Sequence, residues 1–247
     1  MEWRNIILRI SVVVTTYNGK MHLEKQLLSL LQQERAPDEV LIFDDGSTDG
    51  TIELVQSFIR KNCLESWQFY VNAKRKGWKQ NFMEGLRKAA GDILFPCDQD
   101  DIWYPKKLAE MTAVMEQHPE IKLLACDYRV LYEPGAIKAT VYKKTPAETQ
   151  GLITRYGFTK HFFMNPYPGC TYAVRRDFFD AVKELWFDGS PHDEFLWLMA
   201  AVQDGAWFYN RVLMDYVRYS DNASGVRYKD VALQKENLRY IHKQLCA

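Results

Sequence analysis

The sequence predicts an α/β fold, a doubly wound, mostly parallel sheet with helices on both faces. Short apolar runs typical of buried strands alternate with helical periodicity four times within about the first 115 residues. That alternation favours parallel strands joined by right-handed crossovers. No internal repeat or low-complexity tract interrupts it, so we expect the 247 residues to form a single domain with a substantial core.

The first two strand–helix units precede residue 62. The strand predicted over residues 6–15 is apolar at three consecutive positions, Val12 to Val14, as in a sheet covered on both faces. The helix that follows is indicated by leucines at helical spacing: Leu23, Leu27, Leu30 and Leu31. A second strand at 40–43 ends in Asp44 and Asp45. The candidate N-caps of its helix are Ser47, Thr48 and Asp49.

The next two strand–helix units lead to an acidic stretch of the sequence. A strand at 67–71 precedes a helix with Phe82 and Leu86 facing inward. A fourth strand at 93–95 runs into three carboxylates within four residues: Asp98, Asp100 and Asp101. Pro105 suits the start of the next helix, which places Leu108, Met111 and Met115 on one face.

The pattern loosens beyond a fifth strand predicted at 123–126. Residues 133–168 are weakly patterned, which indicates a functional loop or partial disorder. We then expect a return to the sheet at 171–174 and a helix at 176–186. Ser190 is the expected N-cap of a further helix, with Pro191 at its first position. The last predictions are short strands at 207–209 and 212–213 and a polar helix over 226–247.

Composition and cysteine usage narrow the function classes. Lys plus Arg and Asp plus Glu each total 32, so no net positive charge attracts nucleic acid, and we expect no nucleic-acid partner. The five cysteines are odd in number and widely spaced, which favours a reducing, cytoplasmic location over a disulfide framework. The first residues lack the pattern of a signal peptide, and no apolar run approaches the roughly 20 residues of a spanning helix.

The three carboxylates predict a metal-assisted site. In an open α/β sheet, ligands bind outside the carboxyl ends of the strands, which is where these acids follow a strand. Neighbouring carboxylates repel one another unless a cation lies between them, and Mg²⁺ or Mn²⁺ with a bound phosphate meets that need. The alternative is a solvated acidic loop that caps the next helix.

Two other strand ends should adjoin this site. Thr15, Tyr17 and Asn18 follow the first strand, and Asp44 and Asp45 follow the second. Such groups can accept hydrogen bonds from a ribose or a base, although each turn alone is more often simple turn chemistry. Neither turn carries a glycine-rich phosphate loop, so a diphosphate would have to be held through a metal.

Three motifs in this order resemble the family-2 inverting glycosyltransferases with the GT-A fold, and within them the bacterial rhamnosyltransferase-like branch. The motifs are Val12–Gly19, Asp44–Thr51, and Asp98–Trp103 continued by Pro105, Lys107 and Leu108. The resemblance extends over about residues 8–225. It implies a nucleotide-sugar half over about 1–120, an acceptor-binding half over about 121–225, and a C-terminal helix.

The resemblance also implies roles for individual residues. Thr15, Tyr17 and Asp45 would bind the nucleoside, and Lys79 would face the diphosphate. Asp98 and Asp100 would form the Asp-x-Asp motif, with Asp100 as the metal ligand and Asp98 nearer the ribose or the metal waters. The match near the acceptor is formed by Gly169, Cys170, Thr171, His192 and Asp193.

Asp193 falls where the family places its catalytic base. Acids in a first helical turn are also favoured by the helix dipole, by about 0.3–1 kcal/mol each, so the residue type alone leaves both roles open. Glu194 is the second candidate for the base. His192 is compatible equally with a supporting partner and with a helix cap.

One position departs from the family pattern. Where the family often has a metal-binding His, this chain has Tyr219, three residues before Asn222. A protonated tyrosine is a poor ligand, so we expect the metal to be held by carboxylates, diphosphate and water. Arg218 could then neutralise the diphosphate directly.

The resemblance implies a metal-dependent inverting glycosyltransferase. It would move a sugar from dTDP-rhamnose or a UDP-hexose to a saccharide acceptor, by family habit a surface polysaccharide on a lipid carrier. Nucleotidyl transfer and a non-catalytic sugar-nucleotide-binding module are the alternatives. We hypothesise that the lysines of 133–168 contact the inner face of the membrane.

Overall fold

The computed structural model describes residues 7–136, 149–156, 165 and 167–220. Its strands are β1 (Ile10–Thr16), β2 (Glu39–Asp44), β3 (Trp67–Val71), β4 (Ile93–Asp98), β5 (Ile102–Trp103), β6 (Leu123–Tyr132), β7 (Ile153–Arg155), β8 (Tyr172–Arg175) and β9 (Ala206–Arg218). Its helices are α1 (Lys20–Leu31), α2 (Thr51–Lys61), α3 (Trp78–Lys88), α4 (Lys107–Gln117), α5 (Arg176–Val182) and α6 (His192–Val202).

The described strands form one mixed sheet in the order β3-β2-β1-β4-β8-β6-β9-β5, and β7 pairs with β9. The pairs β2–β3, β1–β2, β1–β4 and β6–β9 are parallel, while β8, β5 and β7 join antiparallel. The predicted α/β fold with a mostly parallel sheet is therefore confirmed. β1 lies between β2 and β4, so the strand order reverses there and opens a crevice at the carboxyl ends of the three strands.

Both faces of the sheet are buried, which explains the run of valines in β1. Val12 and Val14 pack with Leu23 and Leu27 of α1 in the core on one face. Val13 belongs to the core on the other face, together with Phe82 of α3. Successive side chains of a strand point to opposite faces, so a strand between two helix layers must be apolar at every position.

Two local predictions in the second half differ from the structure. Residues 206–218 form one long strand rather than two short ones, because Asn210 exchanges backbone hydrogen bonds with residues 151 and 152 and so keeps the polar centre paired. The helix predicted over 176–186 ends at Val182 and continues as a 3₁₀ turn, Lys183–Leu185, a common way for a helix to tighten at its end.

Several sequence predictions fall outside the described residues. These are the C-terminal helix at 226–247, Asn222, and the lysines Lys138, Lys143, Lys144 and Lys160. Among the helices of the described part of the chain, none combines the length and the apolar character needed to cross a membrane.

Candidate active site

The turns after β1, β2 and β4 are locked together by hydrogen bonds between the three sequence motifs. Thr16 Oγ1 donates to Asp44 Oδ2 at 2.7 Å, which joins the end of β1 to the end of β2. Asn18 N donates to Ser47 Oγ at 2.8 Å. Tyr17 N donates to Gln99 Oε1 at 2.9 Å, which joins the first turn to the acidic motif. The motifs therefore form one rigid rim above the crevice.

Gly19 is required by this arrangement. A Cβ at this position would lie only 2.2 Å from Gln99 Oε1, so any side chain would displace Gln99 from Tyr17. Asn18 beside it has a φ of 46°, a left-handed conformation that asparagine tolerates better than most residues. The Asn-Gly pair is thus explained by the geometry of the turn.

Asp44 and Asp45 accept hydrogen bonds from different segments. Asp44 is fully buried and accepts hydrogen bonds from Gly46 N, Ser47 N and Ser47 Oγ, so it fixes the β2 turn. Asp45 is 3% exposed and accepts from Lys76 N at 2.7 Å and Gly77 N at 2.8 Å. Asp45 therefore also holds the basic loop that leads into α3.

The aromatic ring of Tyr17 marks the outer wall of this half of the site. It is 36% exposed, and the guanidinium carbon of Arg75 lies 4.0 Å from its ring centroid. Thr15, by contrast, is 7% exposed and pairs with Phe43 on one side and Asp98 on the other. The structure thus brings the predicted nucleoside residues Thr15, Tyr17 and Asp45 to the same edge as Asp98.

The three carboxylates Asp98, Asp100 and Asp101, at the end of β4 and directly after it, have different surroundings. Asp100 Oδ2 accepts a hydrogen bond from the Tyr219 hydroxyl at 2.8 Å. Asp101 is 1% exposed; its Oδ1 accepts from Val217 N at 3.3 Å, and the Cys170 thiol also hydrogen-bonds to its carboxyl group. Ligand atoms of Asp98, Asp101 and Cys170 lie within 4.8 Å of one another. The resemblance assigns the metal to Asp98 and Asp100, whereas this group joins Asp98 to Asp101 and Cys170.

The electrostatics of this centre favour a cation. Burial, then the charges of Asp100 and Asp193, raise the pKa of Asp98 to about 7. Burial and the same kind of repulsion, chiefly from Asp100, raise the pKa of Asp101 well above its ordinary value. Carboxylate oxygens that lie this close together and repel one another suit a hard divalent cation such as Mn²⁺ or Mg²⁺.

One cation is already built into the fold. Lys107 is fully buried; its ammonium group donates to the carbonyl oxygen of Cys170 and lies 4.0 Å from the Trp103 ring centroid. Its charge lowers the pKa values of Asp98 and Asp101, but less than burial raises them. Sequence reasoning missed this role. Lys107 lies four residues before Met111, which faces the core, so helical periodicity already places this lysine on the inward face of α4.

Asp193 lies in the first turn of α6, close enough for its charge to raise the pKa of Asp98. Its Oδ2 accepts from Asn165 Nδ2 at 3.3 Å, and its Oδ1 from Glu194 N at 2.9 Å. The predicted cap is wrong: Pro191 occupies the N-cap position, one residue later than Ser190, and Phe195 N donates to its carbonyl oxygen. Pro191 is the cap because its ψ of 135° lies outside the helical range.

His192 supports the helix start through packing. It is 3% exposed, and its ring stacks on Phe82 at a centroid distance of 4.0 Å. Burial lowers its pKa to about 3, so the imidazole is neutral and does not pair as a cation with Asp193. A Cβ on Gly169 would lie 2.5 Å from His192 Nε2 and 3.1 Å from Asp193 Cβ. Gly169 therefore provides the space in which these two residues pack.

The two predicted diphosphate contacts lie on different elements, Lys79 on α3 and Arg218 at the end of β9. Lys79 donates a hydrogen bond to the Gly189 carbonyl oxygen in the loop before α6. Arg218 is 7% exposed, and its guanidinium carbon lies 5.8 Å from the Tyr216 ring centroid. The contact of either side chain with a diphosphate stays a prediction.

A sequence model described as glycosyl transferase family 2 matches residues 11–180, which is more than half of the chain. The chain belongs to glycosyltransferase family 2. The matched residues include the three interlocked motifs and the acidic centre. The predictions of the family and of a glycosyltransferase are therefore confirmed.

Curated relatives of this family-2 member include named bacterial transferases. The dTDP-rhamnosyl transferase RfbG of Shigella flexneri is 24% identical over 228 residues, which are 86% of this chain and 73% of the relative. The poly(ribitol-phosphate) beta-N-acetylglucosaminyltransferase TarS of Staphylococcus aureus is 28% identical over 155 residues, 62% of this chain and 26% of the relative.

Solved structures share the fold. The crystal structure of S. aureus TarS 1–349 in complex with UDP-GlcNAc superposes with a TM-score of 0.72 at 18% identity, over 94% of this chain and 65% of that one. The crystal structure of GalNAc-T7 with UDP, GalNAc and Mn²⁺ superposes with a TM-score of 0.68 at 18% identity, over 95% of this chain and 48% of that one. The fold prediction, GT-A, is thereby confirmed.

The family-2 chain is shorter than several of these proteins. It spans 37% of a 30% identical Mycobacterium tuberculosis relative of uncharacterised function, Rv1520, and 26% of TarS.

Gly169→Ala should impair turnover by displacing the start of α6. The added methyl group collides with the His192 ring, which cannot retreat because Phe82 stacks behind it. Since a 1 Å misplacement can cost about 100-fold in rate, we expect a loss of at least about tenfold in kcat with unchanged nucleotide affinity.

A double variant supplies the control. Adding His192→Ala to Gly169→Ala removes the collision, so steady-state assays of the two single variants and the double variant should show a favourable coupling between the positions. Losses that simply add would contradict the packing explanation.

Proposed function

We propose that this family-2 member transfers a sugar from a nucleoside diphosphate donor to an acceptor hydroxyl with inversion at the anomeric carbon. The observation that carries the proposal is the convergence of four groups of residues on one sheet edge. These are the β1 turn, the β2 turn, the acids after β4 and Asp193 at the start of α6. An acidic centre and a nearby separate carboxylate are the two parts that such a transfer requires.

The donor would lie across the carboxyl ends of β1, β2 and β4. Thr15, Tyr17 and Asp45 would contact the nucleoside. Asp45 keeps acceptor capacity because a carboxylate offers about four lone-pair positions and three hydrogen bonds occupy part of them. Lys79 and Arg218 would contribute positive charge toward the diphosphate.

A divalent cation, Mn²⁺ or Mg²⁺, would be held by Asp98 and Asp100, with Asp101 beside them. When bound, it would offset the negative charge that develops on the departing diphosphate. Tyr219 would act on the metal site indirectly, since its hydroxyl already donates to Asp100 Oδ2 and orients that carboxylate. That hydrogen bond offers a role for the tyrosine that stands where the family often has a histidine.

Asp193 would act as the base. The acceptor oxygen would form a bond to the anomeric carbon while the bond from that carbon to the diphosphate oxygen breaks, and Asp193 would take the hydroxyl proton. One carboxylate on the face opposite the leaving group suffices for inversion, and such a base typically contributes about 10²–10⁴-fold. The hydrogen bond from Asn165 orients that carboxylate. His192, the preceding residue, is neutral and adds no positive charge there.

The relatives guide the choice of donor and acceptor. RfbG is named a dTDP-rhamnosyl transferase, and TarS is named a transferase of N-acetylglucosamine to poly(ribitol-phosphate). We infer dTDP-rhamnose or a UDP-hexose as donor and a cell-surface polysaccharide as acceptor. Residues up to about 120 would hold the donor, and residues from about 121 to 225 would hold the acceptor.

We propose a reducing, cytoplasmic location, supported by the free thiols of Cys97, Cys126 and Cys170, which are all buried. Contact with the inner face of the membrane remains our hypothesis, because the lysines that prompted it lie outside the described residues. Sedimentation with liposomes that is independent of their anionic lipid content would contradict it.

A donor panel tests the proposed function directly. We expect at least one of dTDP-rhamnose, UDP-GlcNAc, UDP-glucose and GDP-mannose to raise the melting temperature in the presence of Mn²⁺ more than in EDTA, because a ligand that binds only the folded state stabilises it. Thermal unfolding measured with and without the metal checks this. No shift with any of the four donors would contradict the proposal.

Asp193→Asn should separate catalysis from binding. We expect nucleotide affinity within about threefold of the wild type and a loss of at least about 100-fold in kcat, because the amide cannot accept the proton. Glu194→Gln is the matched control, since it makes the same change at the next residue. A larger loss in Glu194→Gln than in Asp193→Asn would transfer the role of base to Glu194.

Metal binding should release a proton below about pH 7. In the metal-free protein the carboxyl of Asp98 has a pKa of about 7, raised from 3.8, so it is largely protonated at pH 6 and must lose that proton to ligate. Mn²⁺ affinity should therefore rise up to about tenfold per pH unit from pH 5 to 7 and level off above. Calorimetry at pH 6 in two buffers of different ionisation enthalpy measures the released proton.

The same shift fixes the sign of the effect on stability. Between about pH 4 and 7 the folded protein holds a proton that the unfolded chain has lost, so stability without metal should fall as the pH rises through that window. Asp98→Asn should remove the proton release on metal binding and reduce the effect of pH on stability, to which the raised pKa of Asp101 still contributes. Proton release that persists in Asp98→Asn would assign the titration to another group.

A further inference from the structure

Trp78 is the most exposed of the aromatic side chains that the structure describes. Its exposure is 43%, and the only other large aromatic residue exposed by at least 36% in the described ranges is Tyr17. A single exposed apolar side chain is ordinary on a protein surface. The position and the fixed orientation of Trp78 are what distinguish it.

Trp78 lies between the two halves of the proposed site. It is the first residue of α3, and the preceding Gly77 N donates to Asp45 Oδ2 at 2.8 Å, which anchors the backbone on the nucleoside side. Its ring meets the ring of His192 edge-on, with the centroids 6.0 Å apart and the planes at 80°. His192 directly precedes Asp193 in the first turn of α6, so the indole packs against the helix start that carries the proposed base.

Several contacts fix the residues around this indole. His192 is itself held between Phe82, on which it stacks at 4.0 Å, and Gly169, which has no room for a Cβ. The next residue of α3, Lys79, donates a hydrogen bond to Gly189 and so ties the start of α3 to the loop before α6. The indole thus presents an apolar surface, packed edge-on against the firmly held His192, at a site otherwise dominated by charge.

A sugar ring is the ligand that fits such a surface. One face of a pyranose presents C–H groups of slightly positive charge, which pack against the negative face of an aromatic ring, while its hydroxyls stay free to bond elsewhere. The Lys79 ammonium lies over the Trp78 ring, 5.7 Å from its centroid, so a sugar that packs on this ring would have a hydrogen-bond donor for its hydroxyls close by. A nucleobase could also stack, but Tyr17 already provides an aromatic face on the nucleoside side.

We propose that Trp78 is the platform on which a pyranose ring stacks at the reaction centre, next to Asp193. This inference rests on the proposed glycosyl transfer and names a residue that orients a sugar for it. The sugar is a hexose or 6-deoxyhexose ring, carried either by the donor or by the acceptor. The two sources are separable by experiment, because only the donor sugar is attached to a nucleotide.

The test compares binding with and without the sugar. Calorimetry with Mn²⁺ measures the affinities of UDP, UDP-GlcNAc, dTDP and dTDP-rhamnose for the wild type, Trp78→Ala and Trp78→Phe. A second titration adds methyl glycosides of rhamnose and N-acetylglucosamine to the protein saturated with the nucleoside diphosphate. Leu28→Ala is the matched control, since Leu28 is exposed to a similar extent, 40%, in the middle of α1.

We expect Trp78→Ala to bind the bare nucleoside diphosphates normally and to lose about tenfold in affinity for a sugar-bearing ligand, with Trp78→Phe losing less. The loss falls on the nucleotide sugar if the platform serves the donor, and on the methyl glycoside if it serves the acceptor. Leu28→Ala should match the wild type throughout.

Three results would overturn the proposal. The first is sugar-bearing ligands that bind Trp78→Ala as tightly as they bind the wild type. The second is a loss of affinity in Trp78→Ala that is as large for each bare nucleoside diphosphate as for its nucleotide sugar, while the affinity for methyl glycosides is unchanged. That result would mean that Trp78 supports nucleotide binding and not the sugar. The third is a wild type that binds none of the nucleotides, which contradicts the proposed transfer itself and is therefore distinguishable from the other two.

Discussion

The concentration of negative charge at the end of β4 is the constraint on which the rest of the site depends. Asp98, Asp100 and Asp101 lie within four residues, and Asp193 approaches from another element. Carboxylates withdrawn from water repel one another strongly, and the fully buried Lys107 offsets only part of that repulsion. The folded protein therefore concentrates negative charge at a site that a cationic ligand would neutralise.

The motifs keep this costly arrangement in place. Many of their residues have a structural role. Hydrogen bonds between Thr16 and Asp44, Asn18 and Ser47, and Tyr17 and Gln99 join the three strand ends into one rim. Groups that are fixed before the ligand arrives need no further ordering when it binds, so less binding energy is lost. The residues predicted to touch the donor are the sequence neighbours of these hydrogen-bonded residues, so predicted binding residues and structural residues alternate along each motif.

The sequence predicts well what depends on local pattern. The first four strands and the helices between them follow from apolar periodicity, and the positions of Thr15, Asp45 and Asp98 follow from the rule that strand ends of a parallel sheet meet. The continuous strand at 206–218 was missed because Asn210 and Arg211 look like a break, and only partners from distant segments keep that stretch paired.

The site features that escaped sequence reasoning are those formed between distant segments. Lys107 belongs to the acidic centre through Cys170, which is 63 residues away in the chain. Gly169 limits the position of His192, and Asp45 secures the loop before α3. No spacing rule relates such pairs, because their contact is decided by how the second half of the chain packs on the first.

The most direct measurement of the central claim is a crystal structure of the protein with Mn²⁺ and a nucleoside diphosphate, with anomalous diffraction recorded at the manganese edge. The account predicts one strong anomalous peak bounded by Asp98, Asp100 and the diphosphate, within the crevice between β1 and β4. A peak elsewhere, or a diphosphate bound at the acidic centre without any metal, would contradict it.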